Sequence, residues 1–136
     1  MQVSAIAKNI RISPEKIRPM VAKIKNLPPT EAISHLDFIN KSAAPILKKV
    51  IMSALANAQN NSGLAKDLLT FKAIIVNIGP TAKRFRPQSR GRVHQILKRT
   101  SHIKVILEGE KQGQSKDIKE TKLIENTKNI KTEEKK

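Results

Sequence analysis

The chain contains no cysteine, no tyrosine and no tryptophan. Without thiols it can form no disulfide framework, thiolate metal site or cysteine nucleophile, and nothing in it asks for an oxidising compartment. Its only aromatics are three phenylalanines, so a core must come from Ile, Leu, Val and Ala. A sheet that stacks bases on paired aromatic motifs is excluded for the same reason. No apolar run is long enough to span a bilayer, and residues 1–12 lack the charged-then-apolar layout of a secretory signal. We expect a soluble protein with no membrane partner.

Acid is scarce: 11 Asp and Glu stand against 27 Lys and Arg, which leaves a net charge of +16 on 136 residues. A charge of that size repels itself and calls for a polyanionic partner. The length suits one domain with an appended tail. Residues 111–136 hold eight Lys and five acids, so residues 1–110 carry +13 of the total. In that tail Ile118, Leu123, Ile124 and Ile130 are the only large apolar side chains, too few to offset the entropy of ordering. The composition predicts a basic domain over residues 1–110 and a disordered tail over 111–136.

Strand and helix signals alternate within the domain. Residues 3–12 are rich in β-branched and small side chains and predict a strand. Ser13, Pro14 and Glu15 then form a helix start: a capping hydroxyl, a proline at the first helical position, and an acid at the positive end of the dipole. Ile17, Met20, Val21 and Ile24 follow as an apolar stripe, with a bend expected at Pro19. Leu27, Pro28 and Pro29 break the chain. Thr30 and Glu31 open a second helix, with Ile33, Leu36 and Ile39 on one face. Ser42 is the expected cap of a third, which keeps Pro45 in its first turn. Its stripe of Leu47, Ile51, Ala54, Leu55 and Ala58 makes it the centre of the core, and it ends at Gly63.

Beyond Asp67 the character changes. From Leu68 to Leu107, forty residues, there is no acidic side chain but there are nine basic ones. Two β-type runs, residues 71–78 and 103–107, bracket this region, and Pro87 and Gly91 lie near its middle. The pattern predicts a long hairpin over about residues 79–103. Each arm has roughly ten residues, a reach of about 30 Å beyond the domain. Its middle is too poor in apolar residues to bury itself, and an isolated ribbon is marginal in water, so its surroundings are expected to shape it.

Lys83, Arg84, Arg86, Arg90 and Arg92 suit phosphate contact, Arg adding a planar fork that grips phosphate or stacks on a base. A merely solvated surface would intersperse Asp and Glu. Phe85 can stack on a base, fill an apolar crevice or stand as a loose residue near the tip. Lys8, Arg11, Lys16 and Arg18 can extend the footprint, although surface lysines are common.

Signs of catalysis are thin: the acids are scattered, and there is no phosphate-cradling glycine loop, His-Glu helix motif or nucleophile elbow. Glu108 and Glu110 read as a solvated strand end, and His35, His94 and His102 lack metal-ligand spacing. We expect no enzyme, no metal, no cofactor and no small-molecule substrate. A helix-turn-helix regulator that reads a DNA site is the competing class, since the second and third helices are closely linked. A recognition helix, however, should offer polar readers where Ala43, Ala44 and Pro45 stand. A nonspecific nucleoid-type protein is a third class, and it would bind any polyanion equally.

Several segments match a known pattern in order and spacing: residues 13–18 (Ser-Pro-Glu-Lys-Ile-Arg), residues 53–58 (Ser-Ala-Leu-Ala-Asn-Ala), Gly79-Pro80 leading to Lys83-Arg84, Arg90-Gly91-Arg92, and residues 96–103 (Ile-Leu-Lys-Arg-Thr-Ser-His-Ile). Over about residues 2–109 the chain resembles the bacterial-type ribosomal protein L twenty-two family of the large subunit. The resemblance implies an α+β fold: a small antiparallel three-stranded sheet packed on three helices, with a long protruding β-hairpin. It implies binding to large-subunit ribosomal RNA as a monomer within the cytoplasmic ribosome, beside neighbouring large-subunit proteins. A bacterial ribosome fits, and so does an organellar one. The family's hairpin lines the nascent-polypeptide tunnel.

Carried over by position, Lys16, Arg18, Lys98, Arg99 and His102 correspond to RNA-contacting residues. Ala82, Lys83, Arg84, Gly91, Arg92 and Val93 correspond to the tip at the tunnel wall. Ala82 stands where a bulkier residue is common, and Phe85, Gln88 and Ser89 also depart from the pattern.

Overall fold

The computed structural model describes residues 1–109, and the tail expected over 111–136 lies outside them. The fold is α+β, with helices α1 (Pro14–Ile24), α2 (Pro29–Phe38) and α3 (Ala44–Ser62) and strands β1 (Gln2–Ile10), β2 (Thr70–Ile78), β3 (Ala82–Pro87), β4 (Val93–Lys98) and β5 (Ser101–Glu108). The strands form two antiparallel sheets, β1-β5-β2 and the ribbon β3-β4.

Strand β5 is the middle of the larger sheet and shows the alternation that a half-buried strand requires. Ser101, Ile103, Val105 and Leu107 are buried, while Lys104 and Glu108 are exposed. Helix α3 packs on this sheet, and its Leu47, Ile51, Ala54, Leu55 and Ala58 share one core with the buried row, with Ile17, Met20 and Ile24 of α1, which lies against β2, and with Ala32 and Leu36 of α2, which lies against α3. The core is aliphatic, as the lack of aromatics requires.

Several local expectations are corrected, each for an identifiable reason. Strand β1 stops at Ile10 rather than residue 12. Asn9 adopts φ +56°, and the register shifts between Ala7 and Ile10, a bulge at a residue type that tolerates left-handed backbone. Ser13 precedes α1 but makes no side-chain cap, because the Lys16 amide already donates to the Ser13 carbonyl at 3.0 Å. Pro19 lies inside α1, as expected, and the carbonyl it deprives of a helical donor is that of exposed Glu15.

Helix α2 begins at Pro29, one residue before Thr30. Pro28 is held extended at ψ 148°, as a residue preceding proline is, and Pro29 then takes the first helical position. Its buried residues are Pro29, Ala32 and Leu36, while Ile33 and Ile39 only flank the core. The residue before α3 is Ala43 rather than Ser42. A turn in which the Ala44 amide donates to the Lys41 carbonyl at 2.9 Å uses residue 42 before the helix starts. Pro45 stays in the first turn, as expected. Gly63, at φ +61°, closes α3, with the Leu64 amide donating to the Ala58 carbonyl at 3.1 Å.

The hairpin is two ladders joined by a neck, not one continuous ribbon. At the neck the Gly79 amide donates to the Thr100 carbonyl at 2.9 Å, and the Thr100 hydroxyl donates to the Pro80 carbonyl at 2.6 Å. A Cβ on Gly79 would collide with Thr100 Oγ1 and stand 3.2 Å from His102 Cε1. Thr100 cannot yield without losing its bond to Pro80. Gly79→Ala should therefore destabilise the neck by about 1–3 kcal/mol. Amide exchange should read this as loss of protection at the Gly79–Thr100 pair, with protection of the α3 amides unchanged.

Candidate nucleic-acid interface

The arm is built by register. β3 and β4 pair from Ala82↔Lys98 to Pro87↔Val93, and every residue of both strands except the partly buried Ile96 is exposed. Side chains alternate across a ribbon, so the pairing sorts them onto two unlike faces. One carries Ala82, Arg84 and Arg86 opposite Lys98, Ile96 and His94; the other carries Lys83, Phe85 and Pro87 opposite Leu97, Gln95 and Val93. Three of the six side chains on the first face are cations, Arg84, Arg86 and Lys98, whereas the second has Lys83 alone and is mostly apolar. Phe85 lies in mid-ribbon opposite Gln95, 71% exposed. Like charges side by side destabilise a ribbon, and among the described residues the ion pairs are Lys48–Asp37 and Lys72–Glu108, neither on the arm.

The turn runs through Ser89–Gly91, with Arg90 at φ +59°, ψ +35° and Gly91 at φ +69°. The Gln88 amide donates to the Arg92 carbonyl at 2.8 Å and closes the loop. Two successive left-handed residues match the twist of a hairpin. Glycine adopts that backbone freely, whereas Arg90 holds it against its own Cβ. The tip set expected from the resemblance does not cluster. Gly91, Arg92 and Val93 are at or beside the turn, whereas Ala82, Lys83 and Arg84 begin β3 beside the neck. Ala82 and Pro87 open and close the ladder, so the set spreads along about 17 Å at 3.3 Å per residue.

Around the neck other candidates converge. Arg11, Lys16, Lys98 and Arg99 line one surface concavity with Ile12, Ser13, Ser42 and Leu97. They come from the β1–α1 link, α1 and the end of the arm, far apart in sequence. Lys8 is exposed on β1 beside the bulge. His102 is partly buried, and its Nδ1 accepts the Asn9 amide at 3.0 Å. That bond gives it a structural task in holding the bulge. Arg18 is exposed on α1 but does not line the concavity, being about 200° around the helix from Lys16.

Lys23 and Lys41, which sequence reasoning missed, line an adjoining concavity with Lys16, Pro19, Met20, Ser42 and Ala43. The helical spacing of Lys16, Pro19, Met20 and Lys23 was a readable signal. The arrival of Lys41 beside them was not. Among the described residues no cluster of His, Asp and Glu could hold a metal ion, and no helix is long and apolar enough to cross a membrane. Helix α3 is poorly placed to read DNA, because Ala43 and Ala44 at its start are buried in the core.

The sequence also matches known proteins. The family described as ribosomal protein L22p/L17e matches residues 5–108. The large ribosomal subunit protein uL22 of Staphylococcus aureus strain JH9 is 45% identical over 107 residues, 79% of this chain and 92% of the relative. Its counterparts in strains Newman and COL give the same identity and coverage.

Proposed function

Since the chain belongs to the ribosomal protein L22p/L17e family, we propose that it is a structural constituent of the large ribosomal subunit. It binds large-subunit RNA and braces it during assembly, and its work is done by contact rather than catalysis. The observation that carries this reading is the arm: exposed along its strands, crowded with cations, and without an acid partner among the described residues. Such a surface lowers its own repulsion when phosphates occupy it.

The two faces suggest how the arm is used. Arg84, Arg86 and Lys98 face the RNA backbone, the turn at Arg90–Arg92 goes deepest, and Gly91, Arg92 and Val93 approach the nascent polypeptide at the tunnel wall. Ala82, Lys83 and Arg84 line its approach. The neck cluster of Arg11, Lys16, Lys98 and Arg99, flanked by Lys8 and His102, grips RNA at the surface, and Arg18 makes a separate contact. The protein acts as one copy per ribosome, in the cytoplasm, among neighbouring large-subunit proteins.

Cosedimentation tests the assignment. The full chain, mixed with large subunits depleted of their own copy, should travel with them through moderate salt. Recovery only in the light fractions would refute it.

A further inference from the structure

The concavity between α1 and the turn into α3 has a composition that phosphate contact alone does not explain. On α1, Lys16, Pro19, Met20 and Lys23 recur at helical spacing and share one face, and Lys41 faces them from the turn. Met20 and Ala43 are held in the core at 5% and 2% exposure, so the apolar floor is preformed. The cavity measures about 510 Å3, within the roughly 300–1,000 Å3 of small-molecule clefts. Its rim is lysine, and no acid is among its lining residues.

We propose that this concavity receives a nucleobase extruded from the large-subunit RNA, with Lys16, Lys23 and Lys41 holding the flanking phosphates. The proposal rests on the ribosomal reading above and deepens it. A phosphate needs cations but no apolar floor. An unstacked base needs both, since its ring must lie on carbon while its backbone stays neutralised. The exposed Pro19 ring supplies most of the surface, with the small part of Met20 that the core leaves uncovered beneath it, and exposed Ser42 stands at the rim to meet a base edge. An acidic protein segment could also satisfy the lysines. RNA is favoured because Lys16 and Ser42 line both this concavity and the one at the neck, so one strand can follow a continuous basic path from Lys98 and Arg99 to Lys41.

The test uses the full chain and deproteinised large-subunit RNA of Staphylococcus aureus, with thermal melts to confirm that each variant folds. Ser42→Phe fills the opening and leaves every charge in place. It should weaken binding about threefold to tenfold with an unchanged salt slope, since the floor offers a base apolar contact rather than the aromatic stacking that is worth roughly a factor of ten or more. The paired change Lys23→Gln and Lys41→Gln should weaken binding and lower the slope by about 1 to 2. Dimethyl sulfate should find one base protected by the wild type and reactive with Ser42→Phe.

Wild-type affinity and protections in Ser42→Phe would overturn the base pocket, even if the lysine changes weaken binding. So would wild-type affinity in the lysine pair. Failure of the wild type itself to bind the RNA would instead refute the ribosomal assignment.

Discussion

Reversing charge at Lys83, Arg84, Arg90 and Arg92 to Glu should cost the protein at least about 100-fold in affinity for large-subunit RNA. The slope of log affinity against log salt should fall by about 3, each neutralised phosphate contributing roughly 0.7 to 0.9. All four side chains are exposed and none pairs with an acid among the described residues, so the folded domain loses only the exposed hydrogen bond from the Arg84 guanidinium to the neighbouring Lys83 carbonyl. The melting temperature should hold or rise, because four changes of two units each lower the net charge from +16 to +8 and set the new carboxylates among remaining cations such as Arg86, Lys98 and Arg99. Titration of the variant at several salt concentrations, beside its thermal melt, checks both halves. An unchanged salt slope would show that the arm does not meet phosphate.

The second large effect lies in the core. Ile51→Ala should destabilise the domain by about 2–5 kcal/mol, a large share of the roughly 5–15 kcal/mol available to a protein of ordinary stability. Ile51 is fully buried in α3 among residues that pack against β5, and the helix on one side and the sheet on the other leave little room for the cavity to close. Met52, the next residue, is 50% exposed. Met52→Ala should stay within about 0.5 kcal/mol, which makes the pair an internal control. Urea unfolding should show a lowered midpoint for Ile51→Ala with a slope like that of the wild type. Equal losses in the two variants would mean that α3 does not sit as described.

Much of the fold was readable. The helical stripes of α1 and α3 were plain in the spacing of their apolar residues, and the two strands that bracket the acid-free region were placed to within two residues. The boundaries moved where proline or a turn overrode a capping preference: Pro29 opened α2 ahead of Thr30, and the Lys41–Ala44 turn took Ser42 out of the cap. The bulge at Asn9 left no periodic trace, because a left-handed residue changes the register without changing the composition. The neck was hidden for a related reason. The tight approach of Gly79 to Thr100 and His102 depends on the pairing of β2 with β5, which residues 79–81 do not reveal on their own.

The candidate site divides in the same way. By itself the sequence determined that the arm is cationic, that its partner is a polyanion, and that the core is aliphatic, since charge and side-chain volume belong to residues wherever they lie. Tertiary structure decided which cations act together. Register assigned Arg84, Arg86 and Lys98 to one face of the arm and Phe85, Val93 and Leu97 to the other. Packing of α1 against the turn before α3 brought Lys23 and Lys41 to a common rim, although they stand eighteen positions apart in the chain. Proximity across such a gap is a property of the folded chain, fixed by how the buried faces meet and not by any residue alone.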